Sequence, residues 1–451
     1  MTLGLLASTD TIAAIASARG VGGVGVIRVS GQNLQHFAYQ LTQKEPVPRQ
    51  ALLACFLADD HQAIDTGILL YFPAPASYTG EDVLEIQAHG GPVVMDMLLA
   101  RCIALGARPA EPGEFTRRAF LNGKMDLLQA ESVADLISAT TQTAARAATL
   151  SLSGIFSEKI HLLSDMLINT RMHIEAGIDF SEEEIDYLEN DLIQKNIQTM
   201  LEQIDDILAT AKQGAMLREG VRIALVGKPN VGKSSLLNCL LGHDRAIVSD
   251  IAGTTRDTLS ETLSISGIPV TLIDTAGLRK TDHPIEQMGI ERSWAEIERA
   301  DVIVWIIDAT MNSQADDQEI ISRSPVSIKK LIVYNKIDLI GQVARLETGQ
   351  NDLTVYCSAK THMGIDLLKD ALLTQIGWVS DTETPFVARE RHLFALAQAK
   401  DALERALSQF NHLEFAAEEL RLAHHALGEI VGIFSSEDLL GEIFSRFCIG
   451  K

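Results

Sequence analysis

The sequence predicts a multidomain chain of mixed class, α/β plus all-α. Its 451 residues correspond to about three domains. The local texture changes sharply along the chain, from strand–helix alternation to long uninterrupted helices and back. Hydrophobic residues make up 46% and charged residues 22%, the balance of a chain that buries a core. That balance excludes wholesale disorder, a collagen-like repeat and a disulfide-stapled miniprotein.

Residues 1–124 read as an α/β domain. Val24 to Val29 and Gly67 to Phe72 have the composition of strands bounded by Gly and Pro turn signals, and Met95 to Leu105 reads as a helix. Residues 125–217 carry no proline and are rich in Ala, Leu, Ile, Glu and Gln; Leu162, Leu163, Met166, Leu167 and Ile174 recur at helical spacing. This is the first part of a long-helix bundle domain. Residues 218–379 alternate again: VRIALVG, SSLLNCLLG, VTLIDTAG, DVIVWIIDA and LIVYNKIDL predict a mostly parallel sheet with crossover helices. After Thr384-Pro385 the long-helix texture returns from Arg389 to Phe447, so residues 380–451 form the second part of the helical domain. Neither helical flank alone is large enough to bury its apolar stripes, which predicts that 218–379 is an insertion into one helical domain.

With 38 Lys and Arg against 60 Asp and Glu, the net charge is −22, and the two helical segments hold −16 of it. A sequence-blind nucleic-acid coat is excluded, because such affinity comes from neutralising phosphates; a local nucleic-acid site is compatible. The five cysteines are scattered and form no CxxC pair, which argues against a zinc site or disulfide framework and for a reducing compartment. No apolar run reaches the roughly 18 residues of a membrane span, and the first basic residue is Arg19, so no secretory start is read. The cytoplasm is the expected location.

Gly227 to Ser234 spells GxxxxGKS between an apolar strand and a Leu-rich helix, the context a phosphate-binding loop requires. Backbone N–H groups of Asn230, Val231, Gly232, Lys233, Ser234 and Ser235 can cradle phosphates at the helix start. Lys233 can neutralise β/γ-phosphate charge, and Ser234 can ligate Mg²⁺. Asp274-Thr275-Ala276-Gly277 ends a strand; Asp274 can reach Mg²⁺ through water and the Gly277 N–H can sense a γ-phosphate. Asn335-Lys336-Ile337-Asp338 ends another strand, and a carboxylate at Asp338 accepts from two N–H groups that guanine has and adenine lacks. Ser358-Ala359-Lys360 completes the base pocket. Leu278 stands where a water-orienting Gln is expected, and an apolar side chain cannot orient the attacking water. By contrast, Gly20 to Gly25 satisfies GxGxxG but runs into a predicted strand rather than a helix, so it reads as a Gly-rich turn and not as a dinucleotide site.

The motif set resembles the Ras-like P-loop GTPases of the TrmE–Era–EngA–YihA–septin type. Four further features are similar, over essentially the whole chain, to the tRNA-modification GTPase family MnmE, also called TrmE. They are Asp250-Ile251-Ala252-Gly253-Thr254-Thr255-Arg256-Asp257; Asp274 to Arg279 followed by Glu286 and Gly289-Ile-Glu-Arg292; Pro112-Gly-Glu-Phe through Ala119-Phe-Leu-Asn-Gly-Lys124; and the terminus Phe447-Cys448-Ile449-Gly450-Lys451. The resemblance implies a GTP hydrolase in which Lys233 and Glu286 are catalytic, Glu286 positioning the attacking water through a second water. It implies Mg²⁺ at Ser234 and Thr255. It also implies K⁺ at Asn230, Thr254 and the carbonyls of Ser249 and Ile251, supplying the charge of an arginine finger. Ser249 replaces a Thr found in relatives, which a carbonyl ligand tolerates.

For residues 1–124 the resemblance implies a tetrahydrofolate-binding and dimerisation domain. Arg28, Glu85, Lys124 and, from the C-terminus, Lys451 would hold a 5-formyl or 5,10-methylene derivative. Cys448 would be a third catalytic residue, a thiol near the folate carbon that takes part in one-carbon or amine transfer. The implied assembly is a homodimer that forms a heterotetramer with the flavoprotein MnmG (GidA), which carries FAD and uses NADH. The implied task is addition of an aminomethyl or carboxymethylaminomethyl group to carbon 5 of the wobble uridine of tRNA, with no membrane involved. Two other readings predict different things. An Era- or Der-like ribosome-assembly GTPase calls for a KH-type or second GTPase module, and a non-catalytic GTP-binding scaffold calls for no K⁺-dependent turnover.

Overall fold

The computed structural model describes residues 10–179, 187–242, 260–274, 297–311, 328–349, 352–379, 385–433, 437–445 and 447–450. The chain folds as two compact units, one within Met1–Ala134, Leu152–Ile197 and Gln398–Lys451, the other within Asp135–Ser151 and Gln198–Ala397.

The N-terminal part of the first unit contains β1 (Ile12–Ile15), β2 (Gly22–Gly31), α1 (Leu34–Thr42), β3 (Leu52–Leu57), β4 (Ala63–Phe72), β5 (Asp82–Gly90), α2 (Pro92–Ala104), β6 (Arg108–Pro109) and α3 (Glu114–Leu121). Its six-stranded sheet has the order β3-β4-β5-β2-β1-β6, antiparallel except for β1 beside β6. Successive strand residues point to opposite faces. Ile27, Val29, Leu84 and Ile86 therefore enter a core with Leu34, Phe37, Leu41, Leu98 and Cys102 from α1 and α2. Arg28 and its register partner Glu85 fall on the opposite face, where Ile12, Ala14, Ala110, Phe115 and Tyr78 form a smaller apolar cluster. The predicted strands and helix are all present, each slightly longer than the sequence indicated.

The next elements are α4 (Leu127–Ser138), α5 (Gln142–Leu152), α6 (Ile155–Asp179) and α7 (Tyr187–Glu219). In α6 the buried stripe runs Phe156, Ile160, Leu163, Leu167 and Ile174, whereas Leu162 is 57% exposed. The predicted stripe was thus one residue too wide: at about 100° per residue, Leu162 rotates off the face that Leu163 buries.

The second unit holds β7 (Val221–Val226), α8 (Lys233–Leu241), β8 (Ser260–Ile265), β9 (Ile268–Asp274), β10 (Val302–Asp308), β11 (Lys329–Asn335), a 3₁₀ turn (Ile337–Ile340), β12 (Arg345–Thr348), β13 (Leu353–Tyr356) and α9 (Ile365–Ile376). The sheet order is β12-β13-β11-β10-β7-β9-β8; the five inner strands are parallel and the edges β12 and β8 antiparallel. The central strands β7 and β10 are buried nearly throughout, which is why they read as continuous apolar runs, whereas β11 and β13 alternate buried with partly exposed residues. On one face the inner strands pack with Leu236, Cys239 and Leu240 of α8 and Ile365, Leu368, Ala371 and Leu372 of α9; Ala144, Ala147 and Ala148 of α5 belong to the same core. The small Ala face lets α5 approach closely, and Thr141 Oγ1 donates to the Gly267 carbonyl at 2.7 Å. Gln213 Nε2 of α7 donates to the Gly377 carbonyl at 2.9 Å, and the Val387 N–H donates to Ser151 Oγ at 2.8 Å. One carboxylate oxygen of Asp135 accepts from both Arg218 and Arg389, each at 2.9 Å. These two arginines lie just before β7 and just after the sheet's last helix, at the two ends of the α/β segment.

The chain ends with α10 (Glu390–Ser408), α11 (Leu413–Val431) and α12 (Glu437–Ser445). In the first unit α11 packs along α6, and Leu440, Ile443, Phe444 and Phe447 bury against Leu127 and Ala130. Among the described residues the expected C-terminal long-helix texture is made of three helices. Among the described residues no helix is long and apolar enough to cross a membrane.

Candidate active site

The loops that follow the parallel strands β7, β10, β11 and β13 all leave the same end of the sheet, the carboxyl end at which open α/β sheets bind ligands. After β7 the chain runs through Gly227 to Gly232 and enters α8 at Lys233. Asn230 (φ 65°) and Gly232 (φ 100°) take left-handed conformations that curl the loop. A Cβ on Gly227 would stand 2.4 Å from the Ile306 carbonyl of the adjacent strand, so the loop lies tight against the sheet. Lys233 Nζ donates to the carbonyls of Gly227 (2.7 Å) and Lys228 (3.1 Å), inside the loop's own curve. A phosphate oxygen entering that curve competes for the same ammonium. Ser234 and Ser235 are exposed at the first turn of α8, and Asn230 is exposed at the loop's crest, while Val231 is buried beneath.

The predicted base-reading residues converge on this loop. Asn335, only 2% exposed, donates through Nδ2 to the Val231 carbonyl (2.9 Å) and accepts from the Ala359 N–H (3.0 Å). Lys336, at φ 69°, donates to the Asn230 carbonyl at 2.6 Å. Ser358 is fully buried and donates to Asp338 Oδ1 at 2.7 Å, and the Thr361 N–H donates back to Ser358 Oγ. Lys360 is exposed beside them. Two segments about 20 residues apart thus meet a loop about 100 residues before them and form one edge, with the Asp338 carboxylate oriented by a buried hydroxyl.

Other predicted residues are not reached. Ser249, Asp250, Ile251, Ala252, Gly253, Thr254, Thr255, Thr275, Ala276, Gly277, Leu278, Glu286 and Lys451 lie outside the described residues; Asp274 ends β9, but its side chain lies outside them too. One residue that sequence reasoning missed stands in the site. Asp308, at the end of β10 opposite Asn335, is 5% exposed and bonds Lys336 at 2.6 Å. Burial alone would raise its carboxyl, but Lys336 and the two Thr310 donors hold it below the ordinary value. The only signal was an acid closing the apolar run DVIVWIID.

In the first unit, Arg28 pairs with Glu85 at 2.9 Å and its guanidinium lies 5.1 Å from the Tyr78 ring centre and 5.9 Å from that of Phe115. Arg28 Nη1 is buried with no hydrogen-bond partner among the described residues. Lys124 Nζ donates to the Pro75 carbonyl at 3.1 Å, and Asn122 Nδ2 to the Thr79 carbonyl at 2.7 Å, so Lys124 is tied to the loop that carries Tyr78. Cys448 is exposed, and its carbonyl accepts from the Gly113 N–H at 3.4 Å. The Gly20–Gly25 turn opens β2, a strand, and lines a separate cleft of about 540 Å³ with Ile15, Arg19, Val21, Pro92 and Met95; Arg28, Glu85 and Lys124 do not line it.

Asp338→Asn tests the base edge. It places an amide donor where the carboxylate would face two guanine donors, and it removes the charge. GTP affinity should fall by about 10²–10³-fold, with partial recovery for xanthosine triphosphate, whose base carries an oxygen in place of the amino group. Equilibrium titration with both nucleotides checks this; GTP affinity within threefold of the parent would refute the assignment of Asp338.

Comparison with known proteins finds relatives along essentially the whole chain. Residues 11–124 match the family model of the GTP-binding protein TrmE N-terminus, and residues 127–448 match that of the MnmE helical domain. Two relatives called tRNA modification GTPase MnmE, from Aromatoleum aromaticum and Dechloromonas aromatica, are 54% and 56% identical. The first covers 98% of both chains, the second 98% of this chain and all of the relative. Among solved structures, Aquifex aeolicus Era Y63A bound to GDP·AlF4⁻ is 29% identical over 40% of this chain and 66% of that one, at a TM-score of 0.28. With family models matching from residue 11 to residue 448 and full-length similarity of this degree, the chain belongs to the tRNA modification GTPase MnmE family and is a GTP hydrolase.

Proposed function

We propose that this GTPase is activated by K⁺ and, as a homodimer working with the flavoprotein MnmG, adds an aminomethyl or carboxymethylaminomethyl group to carbon 5 of the tRNA wobble uridine in the cytoplasm. The one-carbon unit would come from a tetrahydrofolate derivative bound in residues 1–124. The observation that carries the reading is Arg28: a buried guanidinium nitrogen without a partner among the described residues, beside the Glu85 carboxylate and over aromatic rings, is a donor set suited to a bound anionic or heteroaromatic group. Lys124, Lys451 and the Cys448 thiol complete the proposed folate site. The folate would supply the carbon; this chain's residues would bind and orient it.

In the nucleotide site, Ser234 and Thr255 would hold Mg²⁺. Asn230, Ser249, Ile251 and Thr254 would hold K⁺, which would supply positive charge to offset the negative charge developing on the transferred phosphoryl group. Glu286 would orient the attacking water that Leu278 cannot. The exposed Asn230 side chain on its left-handed loop position fits a cation ligand. We divide the chain for this purpose into 1–124, 125–217, 218–379 and 380–451, with hydrolysis in the third segment timing events in the others.

Two measurements test the proposal. Nucleoside analysis of tRNA from cells lacking the chain should show loss of the wobble-uridine modification, and an unchanged profile would overturn the tRNA reading. GTP turnover should be at least about tenfold faster in K⁺ than in Na⁺, and Asn230→Ala should erase the difference. Equal turnover in both salts would remove K⁺ from the mechanism and leave the GTPase assignment standing.

A further inference from the structure

We propose that Asp308 is a positioning residue for guanine-nucleotide binding, acting through Lys336 on the backbone of the phosphate loop. The inference rests on the guanine-nucleotide site described above and not on the K⁺ or folate readings.

The geometry is specific. Strands β10 and β11 run parallel, so Asp308 and Asn335 sit side by side at their carboxyl ends. Asp308 Oδ1 accepts from both the N–H (3.0 Å) and the hydroxyl (2.7 Å) of Thr310, which fixes the carboxylate plane. That leaves Oδ2 to accept from Lys336 Nζ at 2.6 Å. The same ammonium donates to the Asn230 carbonyl, also at 2.6 Å, while Asn335 Nδ2 donates to the next carbonyl, Val231. Two successive loop carbonyls are therefore pegged by two successive residues of the base-reading motif. One peg is an amide buried in the sheet. The other is a flexible four-carbon side chain with three rotatable donors, which holds no direction without a fixed partner.

Asp308 is that partner. Without it, Lys336 is a cation at the surface with 30% of its side chain exposed, free to turn to water. With it, the ammonium is fixed between a carboxylate and the loop at Asn230, and the loop's N–H groups are presented to phosphate in one arrangement. Thr310 acts one step further back. The residues that touch the nucleotide keep their chemistry when Asp308 changes; what changes is how much ordering the nucleotide must accomplish on binding.

The test is GDP and IDP titration of the full chain, with Asp308→Asn, Lys336→Met and the double variant. The wild-type protein must bind GDP first; failure there would refute the nucleotide site itself rather than this inference. Asp308→Asn should weaken GDP binding about tenfold, the range of one charge-assisted hydrogen bond. IDP should weaken by the same factor, because Asp338 still reads the base edge. In the Lys336→Met background, Asp308→Asn should have less than about a twofold effect, the non-additivity expected when one residue acts through another. Multiplying effects in the double variant, wild-type GDP affinity in Asp308→Asn, or a changed GDP-to-IDP ratio would each overturn the proposal. Should Asp308→Asn fail to fold, Thr310→Val strips one donor without changing charge. It should weaken GDP binding about threefold, and only while Lys336 is present; an unchanged affinity would count against the proposal.

Discussion

Gly232→Ala should weaken guanine-nucleotide binding by about a hundredfold while the protein stays folded. Two independent penalties act at this position. Gly232 has φ 100°, where an L-residue is strained by roughly 1–2 kcal/mol. An added Cβ would also stand 2.3 Å from Nδ2 of Asn335, closer than any real contact allows. Asn335 cannot yield freely, because Nδ2 holds the Val231 carbonyl and Oδ1 holds the Ala359 N–H. Moving it breaks bonds to the phosphate loop and to the base edge together, at about 1–3 kcal/mol for each buried group left unpaired. Loop strain plus one lost bond is about 2–5 kcal/mol, and a factor of a hundred is about 2.7 kcal/mol. The loop sits on the surface end of the sheet, so the loss should appear in nucleotide affinity and hardly in the melting temperature. Titration with a fluorescent guanine nucleotide and a thermal melt measure the two separately. Affinity within threefold of the parent would mean that the loop relaxes around a side chain, and that the close approach of Gly232 to Asn335 is not needed for binding.

The same residues show what a sequence can and cannot reveal. The strands β7 and β10 were legible because burial on both faces imposes a continuous apolar run, and the loops after β7 and β11 because phosphate and guanine restrict the residue types that can serve. Arg28 and Glu85 entered only through family resemblance; in composition they are two ordinary charges, and only the sheet register shows that they face each other. Asp308 was hidden because its partner lies 28 residues away and a lone acid at a strand end has no periodicity to betray it. The edge strand β12 is four residues long and mostly exposed, too short and polar for an alternation signal. Helix α5 illustrates a deeper limit. Its spacing of Ala144, Ala147 and Ala148 announces a buried face, but not that this face packs in the core of the β7–β13 sheet. Periodicity reports that a surface is covered and is silent about what covers it.

Asp135→Ala should destabilise the second unit by about 3–5 kcal/mol, an effect comparable to removing a large core side chain. The carboxylate is 8% exposed and accepts from Arg218 Nε and Arg389 Nη2 on the same oxygen. Arg218 is on the last turn of α7, and Arg389 immediately precedes α10, so one acid on α4 bonds the two points where the chain enters and leaves the α/β segment. Replacing both guanidiniums and the carboxylate with apolar groups could be nearly neutral, since desolvating three charges is itself unfavourable. Removing only the acid is different: two like charges remain together in a site built to exclude water. The partial exposure of Arg218, at 27%, places the expected loss near the lower end of the range. Asp135→Asn keeps an acceptor oxygen and should lie between the parent and Asp135→Ala. Urea unfolding with a probe in the sheet, such as Trp305 fluorescence, reads the loss. Because Asp135 is remote in sequence from every nucleotide-contacting residue, GDP affinity of the folded fraction should stay within about threefold, which separates a stability effect from a binding effect. A loss below about 1 kcal/mol would mean that the arginines find water or other acceptors, and that α5 packing, rather than this ion triad, fastens the helical residues to the sheet.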